Sequence, residues 1–152
     1  MLENITYLKI NGCYHESWER LLGHTPCLET IVFVLDELLD SPEKFMNPPK
    51  EVPPCLVSRI KAIKLLSFRW TESEVRMVKY FLKHAQVLEN LMIRCTVFET
   101  RCSFNVSIPT LKRLTPSGFN RNEIVIDAPN LAFFKCFYLP KRFLLKNLNS
   151  LV

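Results

Sequence analysis

One short pattern governs what this chain can become: an apolar residue, a second three positions later, and a third two positions beyond that. It recurs along the 152 residues at Ile5/Leu8/Ile10, Leu28/Ile31/Phe33, Ile60/Ile63/Leu65 and Leu88/Leu91/Ile93, and in weaker form at Leu111/Leu114 and Leu131/Phe134/Cys136. Its starts lie 23, 32, 28, 23 and 20 residues apart, and a further Leu145/Leu148/Leu151 ladder follows. The last two apolar positions of each unit are two residues apart, so they share one face of a strand. A single unit cannot bury its own face, whereas parallel stacking of successive units joins those faces into one core. Pro26, Pro109 and Pro129 each stand two residues before the first apolar position, where a proline opens a strand without removing a needed hydrogen bond. Chance triplets are the competing explanation in a chain that is 48% hydrophobic; proline placement and regular spacing together favour the repeat.

Most of these spacings fall in the range of about 20–29 residues expected of leucine-rich repeats. The expected fold is therefore an α/β leucine-rich-repeat solenoid: parallel strands stacked side by side, with irregular helix or loop returns, in one domain over residues 1–152. The clearest return is a helix over Thr71–Ala85. Thr71 and Glu74 make a capping box, Trp70 and Val75 a hydrophobic staple, and Val75, Val78, Phe81, Leu82 and Ala85 one apolar face. Lys79, Lys83 and His84 stand at the C-terminal end, where the helix dipole favours positive charge. A shorter helix is expected over Ser17–Leu22, stopped by Gly23. Asp36–Pro54, with prolines at 42, 48, 49, 53 and 54, reads as a long loop. No helix fits after Leu111, where Gly118, Asn120 and Asn122 interrupt the sequence, so that return reads as a loop with a strand at Ile124–Ile126.

Composition narrows the function classes. Only 3 glycines argue against phosphate-cradling loops, which need several. The net charge is +5, but the basic residues are dispersed, without the run expected of a nucleic-acid arm or polybasic membrane tag. The longest wholly apolar run, Ile31–Leu35, is far short of the roughly 20 residues that span a bilayer. No basic segment followed by an apolar one marks the first residues as a signal peptide, and the expected location is intracellular, cytoplasmic or nuclear. Cys13, Cys27, Cys55, Cys95, Cys102 and Cys136 then read as reduced thiols, several of them buried.

Particular stretches of the sequence point further. Pro53-Pro54-Cys55-Leu56-Val57, the strand Ile60–Leu65, the helix with Glu74, Val78, Tyr80, Leu82 and Lys83, and Val87-Leu88-Glu89-Asn90-Leu91 together resemble the FBD domain that accompanies the leucine-rich repeats of plant F-box proteins. Ile108-Pro109-Thr110-Leu111-Lys112-Arg113-Leu114, Ile126-Asp127-Ala128-Pro129-Asn130-Leu131, Trp18–Leu22 and Thr25–Glu29 look like the repeats themselves. On this likeness residues 1–40 and 104–152 are repeat units, the latter ending inside a unit, around an FBD-like segment at 53–95. The resemblance implies substrate recognition in a cullin-type ubiquitin ligase, whose F-box docks a Skp1-type adaptor. No F-box-like segment precedes Ile5, so adaptor docking is not expected of these residues, and the solenoid reads as open at both ends. The alternative is a stand-alone binding module, or a non-functional fragment, without ligase coupling.

Repeat geometry selects the side chains available to a partner. Residues alternating with the buried positions face the concave side: Tyr7, Lys9 and Asn11; Thr30, Val32 and Val34; Ala62, Lys64 and Leu66; Asn90, Met92 and Arg94; Arg113 and Thr115; Phe133, Lys135 and Phe137. Tyr7, Lys9, Val32, Lys64, Met92, Arg94, Arg113, Phe133, Lys135 and Phe137 are the expected contacts to an unidentified, acidic target protein. Catalysis, cofactors and metals are not expected. Cys13, His15, His24 and Cys27 have zinc-ligand chemistry but no C-x2-C pair. There is no nucleophile elbow, and Asp36, Glu37 and Asp40 read as loop charges. Arg59, Lys61, Lys64 and Arg69 with Phe68 and Trp70 are a nucleic-acid-like mixture, the most distant alternative, without an RNA- or DNA-binding motif around it.

Overall fold

A computed structural model describes residues 2–11, 15–34, 50–68, 72–95, 103–117, 123–135 and 142–146. The elements in chain order are β1 (Tyr7–Asn11), α1 (His15–His24), β2 (Thr30–Val34), α2 (Pro54–Ser58), β3 (Ala62–Phe68), α3 (Glu72–His84), β4 (Asn90–Cys95), β5 (Ser103–Ser107), β6 (Arg113–Ser117), β7 (Glu123–Asp127), β8 (Phe133–Phe134) and β9 (Arg142–Lys146). The fold is mixed α/β on parallel sheets. One sheet has six strands in the order β1-β2-β3-β4-β6-β8, and a second has three in the order β5-β7-β9. Parallel neighbours need a crossover connection. Helices stand in the returns of the first half, and the strands of the second sheet stand in those of the second half.

Register follows the apolar pattern. Leu8, Ile31, Ile63, Leu91, Leu114 and Phe134 line up across the six strands, and Ile10, Phe33, Leu65, Ile93 and Pro116 form the next row. A third row, just before the strands, holds Leu28, Ile60, Leu88, Leu111 and Leu131, all fully buried. The same core takes in Leu22 of α1, Leu56 of α2, Val75, Val78, Phe81 and Leu82 of α3, Ala85 just beyond it, and Ile126 of β7. The rings of Phe33 and Phe81 meet at 5.2 Å and tie β2 to α3. Ile5, Leu8 and Ile10 at one edge and Phe134 at the other are only partly buried, because each has a neighbouring strand on one side only.

The approach to each strand is made by one repeated backbone device. In four units a turn closes onto the buried leucine: Leu28 N–H to Thr25 O at 3.2 Å, Leu88 to Ala85 at 3.5 Å, Leu111 to Ile108 at 3.2 Å and Leu131 to Ala128 at 3.2 Å. One carbonyl of the previous unit then accepts two consecutive N–H groups. Thr6 O takes those of Glu29 and Thr30, Glu29 O those of Lys61 and Ala62, Lys61 O those of Glu89 and Asn90, Glu89 O those of Lys112 and Arg113, and Lys112 O those of Ala132 and Phe133. Five repetitions of one bond pattern lock the register, and a one-residue slip would turn every apolar row to the other face.

Several expectations need correction. Pro26, Pro109 and Pro129 do not open strands; each occupies the second position of one of these turns, where its fixed φ is already suitable. Gly23 does not stop α1, which runs from His15 to His24. The terminal carbonyls of that helix are satisfied otherwise: the Thr25 hydroxyl donates to Leu21 O at 2.8 Å, the Cys55 thiol to Leu22 O at 3.5 Å, and the Leu2 amide to His24 O at 2.8 Å. Pro54 ends no loop but starts α2, with Pro53 as N-cap and proline in the first turn, a position that loses no helical hydrogen bond. In that unit the end of α2 replaces the turn: the amides of Arg59 and Ile60 both donate to Cys55 O at 2.9 Å. The strand expected at Ile124–Ile126 is there as β7, but its partners β5 and β9 were not anticipated. Leu145 lies in β9 of the second sheet and starts no seventh unit of the first.

Strand β3 departs from simple alternation. Its pairing to β4 shifts between Leu65 and Phe68, and Ser67 takes φ of 58°. This bulge turns Phe68 into the core, where it is fully buried. Helix α3 matches expectation at Glu72–His84 and buries more than its expected face, since Glu74, Met77 and Tyr80 are buried as well. Trp70, Thr71, Asp36, Glu37 and Asp40, the centre of the expected 36–54 loop, Cys13, Cys102, Cys136, Leu148 and Leu151 lie outside the described residues. No helix among the described residues is long and apolar enough to cross a membrane.

Candidate functional site

Alternation leaves the face of the six-stranded sheet opposite the apolar rows for other work. Its first row, read across the strands, is Tyr7, Thr30, Ala62, Asn90, Arg113 and Phe133. The second is Lys9, Val32, Lys64, Met92 and Thr115, with Lys135 following β8, and the third begins Asn11, Val34 and Leu66 and includes Arg94. The fold thus brings nine of the ten expected contact residues to one surface, and the tenth, Phe137, lies outside the described residues.

Val32 is the correction within that set. It is only 2% exposed, so it forms floor rather than contact surface. Lys9 and Lys64 flank it in register on the two neighbouring strands. Strands about 4.8 Å apart let long aliphatic stems cover a short β-branched side chain between them. Tyr7 at 55% and Phe133 at 40% are the most exposed aromatic side chains of this face, and they mark the two ends of its first row. The Arg113 guanidinium carbon stands 4.8 Å from the centroid of the Phe133 ring, a cation–π contact across the β6–β8 pair.

Charge on this face has one sign. Lys9, Lys64, Arg94, Arg113 and Lys135 are basic, and no carboxylate stands on its described positions. Glu29 and Glu89 stand instead just before the strands, where they alternate with Lys61 and Lys112 from unit to unit. The Lys112 ammonium lies 3.4 Å from the Glu89 carboxylate, with both groups well exposed. Such a pair contributes at most about 1 kcal/mol, and the ladder serves chiefly to neutralise that edge. Sequence reasoning missed this stripe, although its signal is the charged residue directly after the first apolar position in Leu28-Glu29, Ile60-Lys61, Leu88-Glu89 and Leu111-Lys112. A shallow depression lies against the same edge, bordered by Val87, Glu89, Thr110, Lys112 and Asn130. Thr110 and Asn130 use their side chains there on the carbonyls of Leu88 (2.6 Å) and Pro109 (2.7 Å), so their polar groups hold turns together.

The other sequence candidates come out as follows. Phe68 is buried and cannot stack on a base. Cys27 and Cys55 are free thiols; burial raises the Cys55 thiol above its ordinary value, with hydrogen bonds from the backbone opposing weakly. Cys27 lies in a turn and Cys13 outside the described residues, and among the described residues no cluster of three metal-ligating side chains forms. His84 lies against the Tyr80 ring, centroids 4.7 Å apart. Partial burial, with Lys83 beside it, lowers its pKa, so the expected positive charge at the helix terminus rests on Lys83 rather than His84.

Residues 47–93 match the FBD family. The matched segment supplies α2, β3, α3 and the first four residues of β4, so it contributes most of the two central strands of the six-stranded sheet and the helix between them. The chain is also similar to an F-box/FBD/LRR-repeat protein of Arabidopsis thaliana, 32% identical over 91 residues, which are 57% of this chain and 20% of that protein. Both findings support a relationship to the plant F-box/FBD proteins. The matched part spans about a fifth of that relative's length. No solved structure matches the chain.

Proposed function

We propose that this chain is a leucine-rich-repeat recognition module of the F-box/FBD type, which binds a partner protein on the open face of its six-stranded sheet and carries no catalytic centre. The observation behind this reading is the in-phase stacking of six strand units, with the segment that matches the FBD family at the centre. That arrangement puts every apolar row on one side and leaves an exposed, mixed aromatic and basic surface on the other. Aromatic residues, Met and Arg are the types enriched at protein interfaces, and Tyr7, Met92, Arg113 and Phe133 stand there. The relative's name joins FBD and LRR elements to an F-box, and by analogy the partner would be a substrate presented to a ubiquitin ligase. Free Cys27 and Cys55 suit a reducing intracellular compartment.

The test is proximity labelling in plant cells with the whole chain fused to a biotin ligase, comparing wild type with Thr30→Arg/Ala62→Arg/Asn90→Arg. A second variant, Lys79→Glu/Lys83→Glu on α3, controls for general surface change. Partners lost only with the sheet-face variant support the reading; a partner set indifferent to that face refutes it. A stand-alone binding module is the second reading. Purified Skp1-type adaptor separates the two: retention by this chain favours ligase coupling through these residues, and failure to bind favours recognition without it.

A further inference from the structure

The proposed recognition face has a more specific chemistry than "protein-binding". We propose that its occupant is an acidic segment of the partner, extended and lying across the strands, with carboxylates toward Lys9, Lys64, Arg94 and Arg113 and apolar side chains on the floor between them. This rests on the recognition reading above and adds the class of partner.

Charge complementarity carries it. Each row of the face crosses strands about 4.8 Å apart, so six strands span roughly 24 Å, the length of about seven extended residues. Along that distance the described positions hold basic groups without a single acid, while Glu29 and Glu89 stand at the edge just before the strands, Glu89 beside Lys112. Among the described residues no carboxylate pairs with Lys9, Lys64 or Arg94. Between the cations lie partly buried Val34, Leu66 and Met92, an apolar floor that suits leucine-like side chains rather than a sugar–phosphate chain. The first row offers small residues, Thr30, Ala62 and Asn90, between the bulky ends Tyr7 and Arg113–Phe133, which leaves room for a main chain.

A nucleic acid would also be an anion, but it would need rings for successive bases to stack on. Phe68 is buried, and the two exposed rings of the face, Tyr7 and Phe133, stand at opposite ends of its first row, with Arg113 already on Phe133, so they cannot stack successive bases. The observations favour the peptide.

The test uses the whole chain and fluorescein-labelled octapeptides alternating glutamate with leucine, glutamine with leucine, or lysine with leucine, together with a labelled octamer of thymidine, read by fluorescence anisotropy. Expected are binding of the glutamate probe, weakening as salt rises from 50 to 300 mM because screening shortens the reach of exposed charges, and at least a tenfold preference over the glutamine probe. Lys9→Glu/Lys64→Glu/Arg94→Glu should weaken binding by about tenfold or more, summing modest contributions from several exposed pairs. Lys79→Glu/Lys83→Glu, with the same kind of charge change on α3, should stay within twofold of wild type. Circular dichroism checks that each variant is folded. Equal binding of the glutamine or lysine probe, tighter binding of the oligonucleotide, or indifference to the three reversals overturns the acidic-segment proposal. If cellular partners still depend on the sheet face while the glutamate probe does not bind, this inference fails and the recognition reading stands. If those partners ignore the face, the recognition reading itself fails.

Discussion

Leu91 and Leu8 occupy the same place in their repeats and the same row of the sheet, yet truncating them should cost very different amounts. Leu91 sits in β4 at the middle of the row and is 0% exposed, whereas Leu8 sits in edge strand β1 and is partly buried. Leucine to alanine removes three carbon groups. At about 0.8 kcal/mol per buried methylene the transfer loss at a fully buried site is about 2.4 kcal/mol. A cavity closed on all sides adds to it, so Leu91→Ala should cost about 3–4 kcal/mol. At the edge roughly half the transfer loss applies and solvent fills the space, so Leu8→Ala should cost about 1 kcal/mol. Against a total stability on the order of 5–15 kcal/mol, the first is a large fraction and the second is not. Urea unfolding followed by circular dichroism at 222 nm measures both. Equal costs, or a larger cost at Leu8, would refute the claim that the row is closed in the centre and open at its edge.

Other perturbations test single features. Gly23→Ala should raise stability by about 0.5–1 kcal/mol, seen as a higher thermal midpoint, because Gly23 lies inside α1 and a methyl group there meets nothing within 4 Å. Ser67→Val should lower stability by about 1–2 kcal/mol, since the left-handed φ of 58° suits no β-branched residue, while Ser67→Gly should be close to neutral; urea midpoints distinguish them. His84 has a lowered pKa, so the folded chain binds its proton less readily than the unfolded chain. Its contribution to stability is therefore present above the ordinary histidine pKa of about 6.5 and is lost as pH falls below it. The wild-type urea midpoint should drop more between pH 7.5 and 5 than that of His84→Gln, and identical drops would contradict the assignment.

Much of this molecule is legible in its residues because the repeat is a local pattern with a global consequence. Apolar residues at positions one, four and six of each unit make a strand face that only stacking can bury, and Leu28, Ile31 and Phe33 show the logic as well as any unit. The sheet-face register follows by alternation, which is why Lys9, Lys64, Met92 and Arg113 could be placed on one surface from spacing alone. The resemblance of residues 53–95 to the FBD domain rested on particular residues instead, Pro53-Pro54-Cys55-Leu56-Val57 and Val87-Leu88-Glu89-Asn90-Leu91 among them.

Other features depended on contacts between distant segments. Nothing local tells whether Gly23 ends α1; Thr25, Cys55 and Leu2 satisfy the last carbonyls, and Leu2 and Cys55 come from other units. The bulge at Ser67 arises where β3 must pair with β4 and still deliver Phe68 to the core. Val32 lies among face residues in the sequence, but Lys9 and Lys64 flank it only once β1 and β3 are paired on either side of β2. The second sheet had no sequence signal of its own beyond Ile124–Ile126, because β5, β7 and β9 are short and acquire their hydrogen bonds only from one another. Periodicity along the chain determined which residues face inward, since side-chain direction alternates wherever a strand forms. Which strands become neighbours, and therefore which side chains are covered and which are left for a partner, was decided by hydrogen bonds between units 20 or more residues apart.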